Sequence, residues 1–97
     1  MTANEDANID RAITGMIQVF EQRWYQNREY LIEDLLKTDF DQLLQQFELD
    51  PRKPEVQNCI LLELIHVESN MCFGLTGDEY SSTQKMSRLI ELQKILK

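Results

Sequence analysis

The hydrophobic residues of this chain recur at steps of three and four over most of its length, which is the spacing of one face of an α-helix. The first such stripe runs from Ile9 to Trp24, and it predicts a helix whose N-cap lies near Asn8. Residues 1–7 are mostly polar and acidic, and we expect them to form a flexible N-terminus. The stripe continues to Lys37 in a second helical segment.

Polar residues and helix-capping residues divide the middle of the chain. Across the polar interval around Asn27, either one long helix runs to Lys37 or the helix bends near Asn27, and we favour a bend or short break. Thr38 is followed by alternating acidic residues, which resembles a capping box and predicts a short helix through Phe47. The segment that ends at Lys37 and the segment from Thr38 to Phe47 should therefore be separate helices.

Two prolines, at positions 51 and 54, form the clearest break in the chain. A helix is predicted to begin near Pro54, because proline suits the first helical turn, and to end at Gly74, because glycine readily adopts a left-handed conformation. Apolar residues cover nearly the whole circumference of this segment, as expected for a helix surrounded by others. A last helix should begin near Ser81 or Ser82.

The length and composition are those of one globular domain, since the chain has 97 residues of which 42% are hydrophobic and 28% charged. No alternating strand pattern is present. The sequence thus predicts an all-α, single-domain, four- or five-helix bundle-like fold over residues 1–97, with a central apolar helix near residues 54–73.

The net charge of −7 argues against direct binding to nucleic acid, which needs clustered lysine and arginine. The charge is unevenly distributed, because residues 1–79 carry a net −10 and residues 80–97 a net +3. The basic end of one copy could therefore meet the acidic region of another, and a homodimer is possible. No apolar stretch is long enough to span a membrane.

The two cysteines indicate a reducing environment. Cys59 and Cys72 are thirteen residues apart in one predicted helix, a separation of roughly 20 Å that excludes a disulfide between them. Unpaired thiols, together with a polar acidic start that is unlike a signal peptide, predict a cytoplasmic location.

Residues able to support catalysis or bind a metal are few. Glu63 and His66 have the spacing found in di-iron helix bundles, but the pair occurs once and His66 is the only histidine. Cys59, His66 and Cys72 are too far apart along one helix to share a tetrahedral ion. We therefore expect no enzyme, no cofactor and no metal site, and a helix-bundle metalloprotein is the least favoured function.

An acidic run is the most informative surface feature. Residues 29–50 contain seven carboxylates against the single cation Lys37, a net −6. A solvated face is the simpler explanation, whereas a recognition surface for a basic partner is the functional one. Trp24 is assigned to core packing in preference to an interface anchor. The predicted partner-binding residues are Tyr25, Glu29, Tyr30, Glu33, Asp34, Asp39 and Asp41.

The favoured function is a non-enzymatic protein-interaction module, namely a small adaptor, inhibitor, chaperone or immunity-type protein that binds a basic protein through this acidic helical surface. An alternative is a nucleic-acid mimic that inhibits a DNA- or RNA-binding enzyme, since carboxylates spaced along rigid helices can imitate phosphates. Reversing the charge of Glu33, Asp34, Asp39 and Asp41 is expected to leave the fold intact and to weaken partner capture.

Overall fold

The computed structural model describes residues 3–74 and 82–96, and helices account for most of them. The all-α prediction is confirmed, since the described residues contain five helices and no strand. The helices are α1 (Ala3–Gln26), α2 (Ile32–Thr38), α3 (Phe40–Gln46), α4 (Pro54–Phe73) and α5 (Ser82–Leu96).

The start of α1 differs from the prediction. The helix begins at Ala3, so Asn8 is an interior residue and the prediction that it caps the helix is wrong. Two acidic residues in the first turn favour the earlier start because they face the positive end of the helix dipole. One of them, Glu5, also pairs with Lys53 just before α4, at 3.3 Å. Of the predicted flexible segment, residues 3–7 are helical and residues 1–2 lie outside the described part.

The predicted break near Asn27 is confirmed, because the chain leaves α1 there and turns into α2. The Asn27 side-chain oxygen accepts the Glu29 amide at 3.1 Å and stabilises the turn. The predicted cap at Thr38 is wrong. Thr38 is the last residue of α2, and its hydroxyl donates back to the carbonyl of Asp34 at 2.9 Å instead of capping α3.

Helix α4 begins at Pro54 and ends at Phe73, and Gly74 follows as its C-cap with a φ of 63°, so both predicted boundaries are confirmed. It packs against α1, α2 and α5, which is the predicted central position. It is not surrounded by other helices on all sides, however, because one face is exposed to solvent. The exposed face comprises Cys59, Leu62, Glu63, His66, Asn70 and Phe73.

Helix α1 runs parallel to α4, and helix α5 runs antiparallel to it. Glu5 of α1 lies at the start of α4, and Ile13 further along α1 shares a groove with Leu62, so these two helices are parallel. Helix α5 is antiparallel to α4, since Arg88 bonds to Glu68 near the end of α4 while Gln93 bonds to Asn58 near its start.

The core lies between these helices. Its largest fully buried side chains are Phe20, Phe40, Met16, Ile32, Leu35, Leu44, Ile60, Leu61, Leu64, Ile65 and Leu92. Gly15 allows close approach on α1, because a Cβ atom there would lie 3.0 Å from the ring of Phe47 at the end of α3. No helix among residues 3–74 and 82–96 is long and apolar enough to cross a bilayer.

Candidate partner-binding surface

Glu33, one of the predicted binding residues, belongs to a largely buried ion-pair cluster. Arg88 of α5 donates from Nε and Nη2 to the two oxygens of Glu68, each at 2.9 Å, and from Nη1 to Glu33 at 2.6 Å. Glu68 is 1% exposed and also accepts the backbone amide of Ile32 at 3.0 Å. The cluster therefore holds α2, α4 and α5 together at the start of α2.

Burial acts to lower the pKa of Arg88, but its hydrogen bonds to Glu68 and Glu33 outweigh burial and raise the pKa above its ordinary value. Arg88 thus stays charged at neutral pH. Because its side chain is only 12% exposed, Arg88 adds little to the positive character of the molecular surface.

Tyr30 and Asp39 have internal partners as well. Arg23 of α1 forms an ion pair with Asp39 and donates from Nη1 to the hydroxyl of Tyr30 at 3.3 Å. The bond to Tyr30 and the bond to Asp39 raise the pKa of Arg23. Tyr30 is half-buried and packs against the ring of Phe20, at 5.8 Å between centroids. These two predicted binding residues therefore connect α1 to the α2–α3 segment.

Asp34 is exposed but has a structural role. Its carboxylate accepts the backbone amide of Leu31 at 3.0 Å, immediately before α2. Of the four carboxylates proposed for charge reversal, Glu33, Asp34 and Asp39 thus have partners within the fold. Reversing the charge of all four is therefore expected to destabilise the fold, contrary to the prediction from the sequence.

Tyr25 and Glu29 are exposed at the surface, at the end of α1 and in the following turn. Tyr25 is 64% exposed, and its ring packs edge-on against Trp24 at 5.4 Å. The guanidinium of Arg28 lies 4.1 Å from the Trp24 ring centre and 5.0 Å from that of Tyr25. We name Trp24, Tyr25, Arg28 and Glu29 the aromatic–acidic patch.

The sequence pattern predicts that Trp24 packs in the core, but Trp24 is half-buried and does not belong to the core cluster. Its ring is covered by the neighbouring side chains of the patch. The indole Nε1 is buried and has no acceptor among the described residues. The last residue of the predicted apolar stripe therefore contributes to the surface.

Asp41, the seventh predicted residue, lies elsewhere. It lines a groove with Pro51 and Arg52 beside the end of α5. The structure thus distributes the predicted carboxylates among an ion-pair cluster with α5, a contact with α1 and this groove. A nucleic-acid mimic would need its carboxylates in one row, whereas Glu33, Asp39 and Asp41 lie in different surroundings.

Sequence reasoning missed a second acidic surface, which we name the α1–α4 groove. It is open, with a volume of about 380 Å³. Its lining combines apolar residues with three carboxylates, namely Ile9, Ile13, Cys59, Leu62, Asp6, Asp10 and Glu63. The i, i+4 spacing of Asp6 and Asp10 was a usable signal, but the parallel pairing of α1 with α4 was needed to add Glu63.

Of the residues considered for catalysis or metal binding, Cys59, Glu63 and His66 lie on the exposed face of α4, whereas Cys72 is half-buried. Glu63 faces the α1–α4 groove, whereas the His66 ring lies 3.4 Å from the Asn70 side chain. Among the described residues no group of three or more potential ligands could hold a metal ion. Burial, and then the charge of Glu68, raise the pKa of the Cys72 thiol to about 11, which makes it a poor nucleophile at neutral pH.

Comparison with protein-family models, with curated proteins and with solved structures finds no match to this chain.

Proposed function

We propose that this protein is a non-enzymatic interaction module that binds a basic partner protein through the aromatic–acidic patch. The observation that carries the proposal is the exposed Tyr25, packed beside Trp24 and directly preceding the turn that presents Glu29. Aromatic residues that keep a large exposed area are enriched at the centres of protein interfaces.

The chemistry of the patch favours a cationic partner. Its two rings already hold one guanidinium, that of Arg28, within 5.0 Å of both ring centres. A cation over an aromatic face is stabilised by about 0.5–2 kcal/mol, depending on its desolvation. A lysine or arginine of a partner could replace Arg28 over these rings, with Arg28 displaced to solvent and Glu29 in the adjacent turn.

The charge of the whole molecule acts in the same direction. Arg23, Lys53 and Arg88 are engaged by carboxylates of the fold. Several exposed carboxylates, in contrast, have no ion-pair partner among the described residues, namely Asp6, Asp10, Glu29, Asp41, Glu55 and Glu63. The resulting negative potential would accelerate encounter with a basic protein at moderate salt.

A small adaptor, inhibitor, chaperone or immunity-type protein would act in this way. A cytoplasmic location is part of the proposal, and the free thiols of Cys59 and Cys72 are compatible with a reducing compartment.

Affinity capture from the native cell extract tests the proposal. The bait proteins are the wild type, the double variant Tyr25→Ala/Glu29→Lys, and the control Glu48→Lys. Glu48 is exposed and lines a pocket with Arg11 of α1, about 20 Å along the helix from Tyr25, so its reversal changes charge but not the patch.

We expect the wild type and the control to retain one basic protein, which about 500 mM salt releases. The double variant should bind that protein at least tenfold more weakly, roughly the effect of removing one interface anchor. Equal retention by the double variant, with an unchanged melting temperature, would reject the patch. A retained protein that is acidic would reject the proposed chemistry.

A further inference from the structure

The outer face of α5 carries exposed apolar residues and a lysine. Met86 and Ile90 are 55% and 46% exposed, and Lys94 follows at the same spacing of four residues. Residues at this spacing lie on one face of a helix. Lys94 has no ion-pair partner among the described residues. Met86, Ile90 and Lys94 form what we name the α5 outer face.

The α1–α4 groove has complementary chemistry. Its apolar floor is formed by Ile9, Ile13 and Leu62, of which Leu62 is 45% exposed. The carboxylates along it, those of Asp6, Asp10 and Glu63, have no ion-pair partner in the described part of the chain. An amphipathic helix with apolar residues and a lysine on one face would match both properties of the groove.

The two surfaces are adjacent on the molecule. Gln93 of α5 donates to Asn58 of α4 at 2.8 Å, which sets the register of these antiparallel helices. Leu62 is one turn after Asn58, and Ile90 is one turn before Gln93, so this register places Leu62 next to Ile90. The apolar centre is thus continuous, with carboxylates on its α1 side and Lys94 on its α5 side.

We infer that a second copy of this chain occupies the surface, with the α5 outer face of each copy in the α1–α4 groove of the other. A twofold axis roughly parallel to α4 would superpose the acidic side of one copy on the basic side of its partner. The contacts between Lys94 of one copy and the groove carboxylates of the other then form twice in the dimer.

The net charge of −7 on each copy opposes this pairing at long range. At physiological ionic strength, however, charges more than about 8 Å apart are largely screened. Contacts at the interface therefore decide whether the copies associate.

Sedimentation equilibrium of the full chain, from about 1 to 300 µM, tests the inference. The groove variant is Asp10→Lys/Glu63→Lys, and the helix variant is Lys94→Glu. Each variant places like charges across both halves of the symmetric interface. We expect each to raise the dimer dissociation constant at least tenfold, because every lost ion pair is lost twice.

Mixing the two variants supplies the decisive arm. In a mixed dimer the basic groove of one variant faces Glu at position 94 of the other, and the acidic groove of the second faces the native Lys94. Heterodimers should therefore form at concentrations where neither variant self-associates. Circular dichroism checks that both variants are folded. Glu48→Lys, outside both surfaces, should dimerise like the wild type.

The groove also contains a reporter, since the exposed Cys59 lines it. Alkylation of Cys59 should slow as the protein concentration rises through the dimer dissociation constant. A monomer at all concentrations would overturn the inference, as would a dimer that both charge variants leave unchanged. The double variant Tyr25→Ala/Glu29→Lys should dimerise normally, so this test is independent of the proposed function.

Discussion

Replacing Arg88 with Met should cost the protein much of its stability. The substitution preserves most of the apolar stem of the side chain and removes the guanidinium. Glu68, which is 1% exposed in the wild type, would keep only the amide of Ile32 as a donor, at 3.0 Å. Removing one partner of a buried ion pair leaves an uncompensated charge, which typically costs about 3–5 kcal/mol.

That loss is large compared with the stability of a chain of this size, which is about 5–15 kcal/mol. With a urea m-value of about 1.5 kcal/mol per molar, the midpoint should fall by about 2–3 M. Urea titrations monitored by circular dichroism and by Trp24 fluorescence measure the shift. Coincidence of the two transitions verifies two-state unfolding.

Two comparisons isolate the buried charge as the cause. Glu33→Gln weakens only one of the two outer contacts of Arg88, since Glu91 also accepts from its Nη1 at 3.1 Å. The Glu33 side chain is 37% exposed, so the cost of this change should stay below about 1 kcal/mol. Arg88→Met/Glu68→Met replaces the pair by apolar groups and should recover most of the loss. About 1–2 kcal/mol should persist because the Ile32 amide loses its acceptor. A single Arg88→Met variant that loses less than about 1 kcal/mol, or a double variant as unstable as the single one, would refute the reasoning.

Three further predictions concern separate parts of the molecule. Gly15→Ala should destabilise the protein by about 1 kcal/mol, because a clash with Phe47 of about 2 kcal/mol exceeds the gain in helix propensity of about 1 kcal/mol. In a Phe47→Leu background the same change should stabilise the protein, and urea unfolding of the four proteins decides the sign. Asp34→Ala should cost about 0.5–1 kcal/mol by removing the acceptor for the Leu31 amide, whereas Glu29→Ala should change the melting temperature by less than 1 °C. In the folded protein at pH 8, iodoacetamide should alkylate Cys72 more than tenfold more slowly than in urea, because its pKa is raised to about 11; equal rates, quantified by mass spectrometry, would contradict the burial of this thiol.

The helices were predictable wherever local chemistry determines them. Pro54 and Gly74 have backbone preferences that act on their own positions, and they bound α4 as predicted. The start of α1 was not predictable in this way. It depends partly on the contact between Glu5 and Lys53, which are 48 residues apart in the chain. Similarly, threonine is a good helix-capping residue, but Thr38 is the last residue of α2 and its hydroxyl donates to the carbonyl of Asp34.

Only part of the predicted binding surface is available in the fold. A charge count over residues 29–50 does not include cations that are distant in the sequence but close in the structure. Within residues 29–50 only Lys37 opposes the acids. In the fold, Arg88 reaches Glu33 across 55 positions, and Arg23 reaches Asp39 from α1. The exposed face of α4 could not be predicted from the hydrophobic pattern either, since an apolar residue such as Leu62 looks the same in the sequence whether it packs in the core or faces solvent.

Fluorescence of Trp24 tests the binding of a basic partner at the aromatic–acidic patch most directly, because it is the only tryptophan in the chain and lies within the patch. The measurement is a titration of the wild type with the purified, captured protein, at about 50 and 300 mM salt. A tryptophan-free segment of that protein that spans its binding region serves equally well. The account predicts a saturable change in Trp24 emission, with an affinity that falls at the higher salt and is lost in Tyr25→Ala/Glu29→Lys. Binding that calorimetry detects at full strength while Trp24 emission stays constant would contradict it.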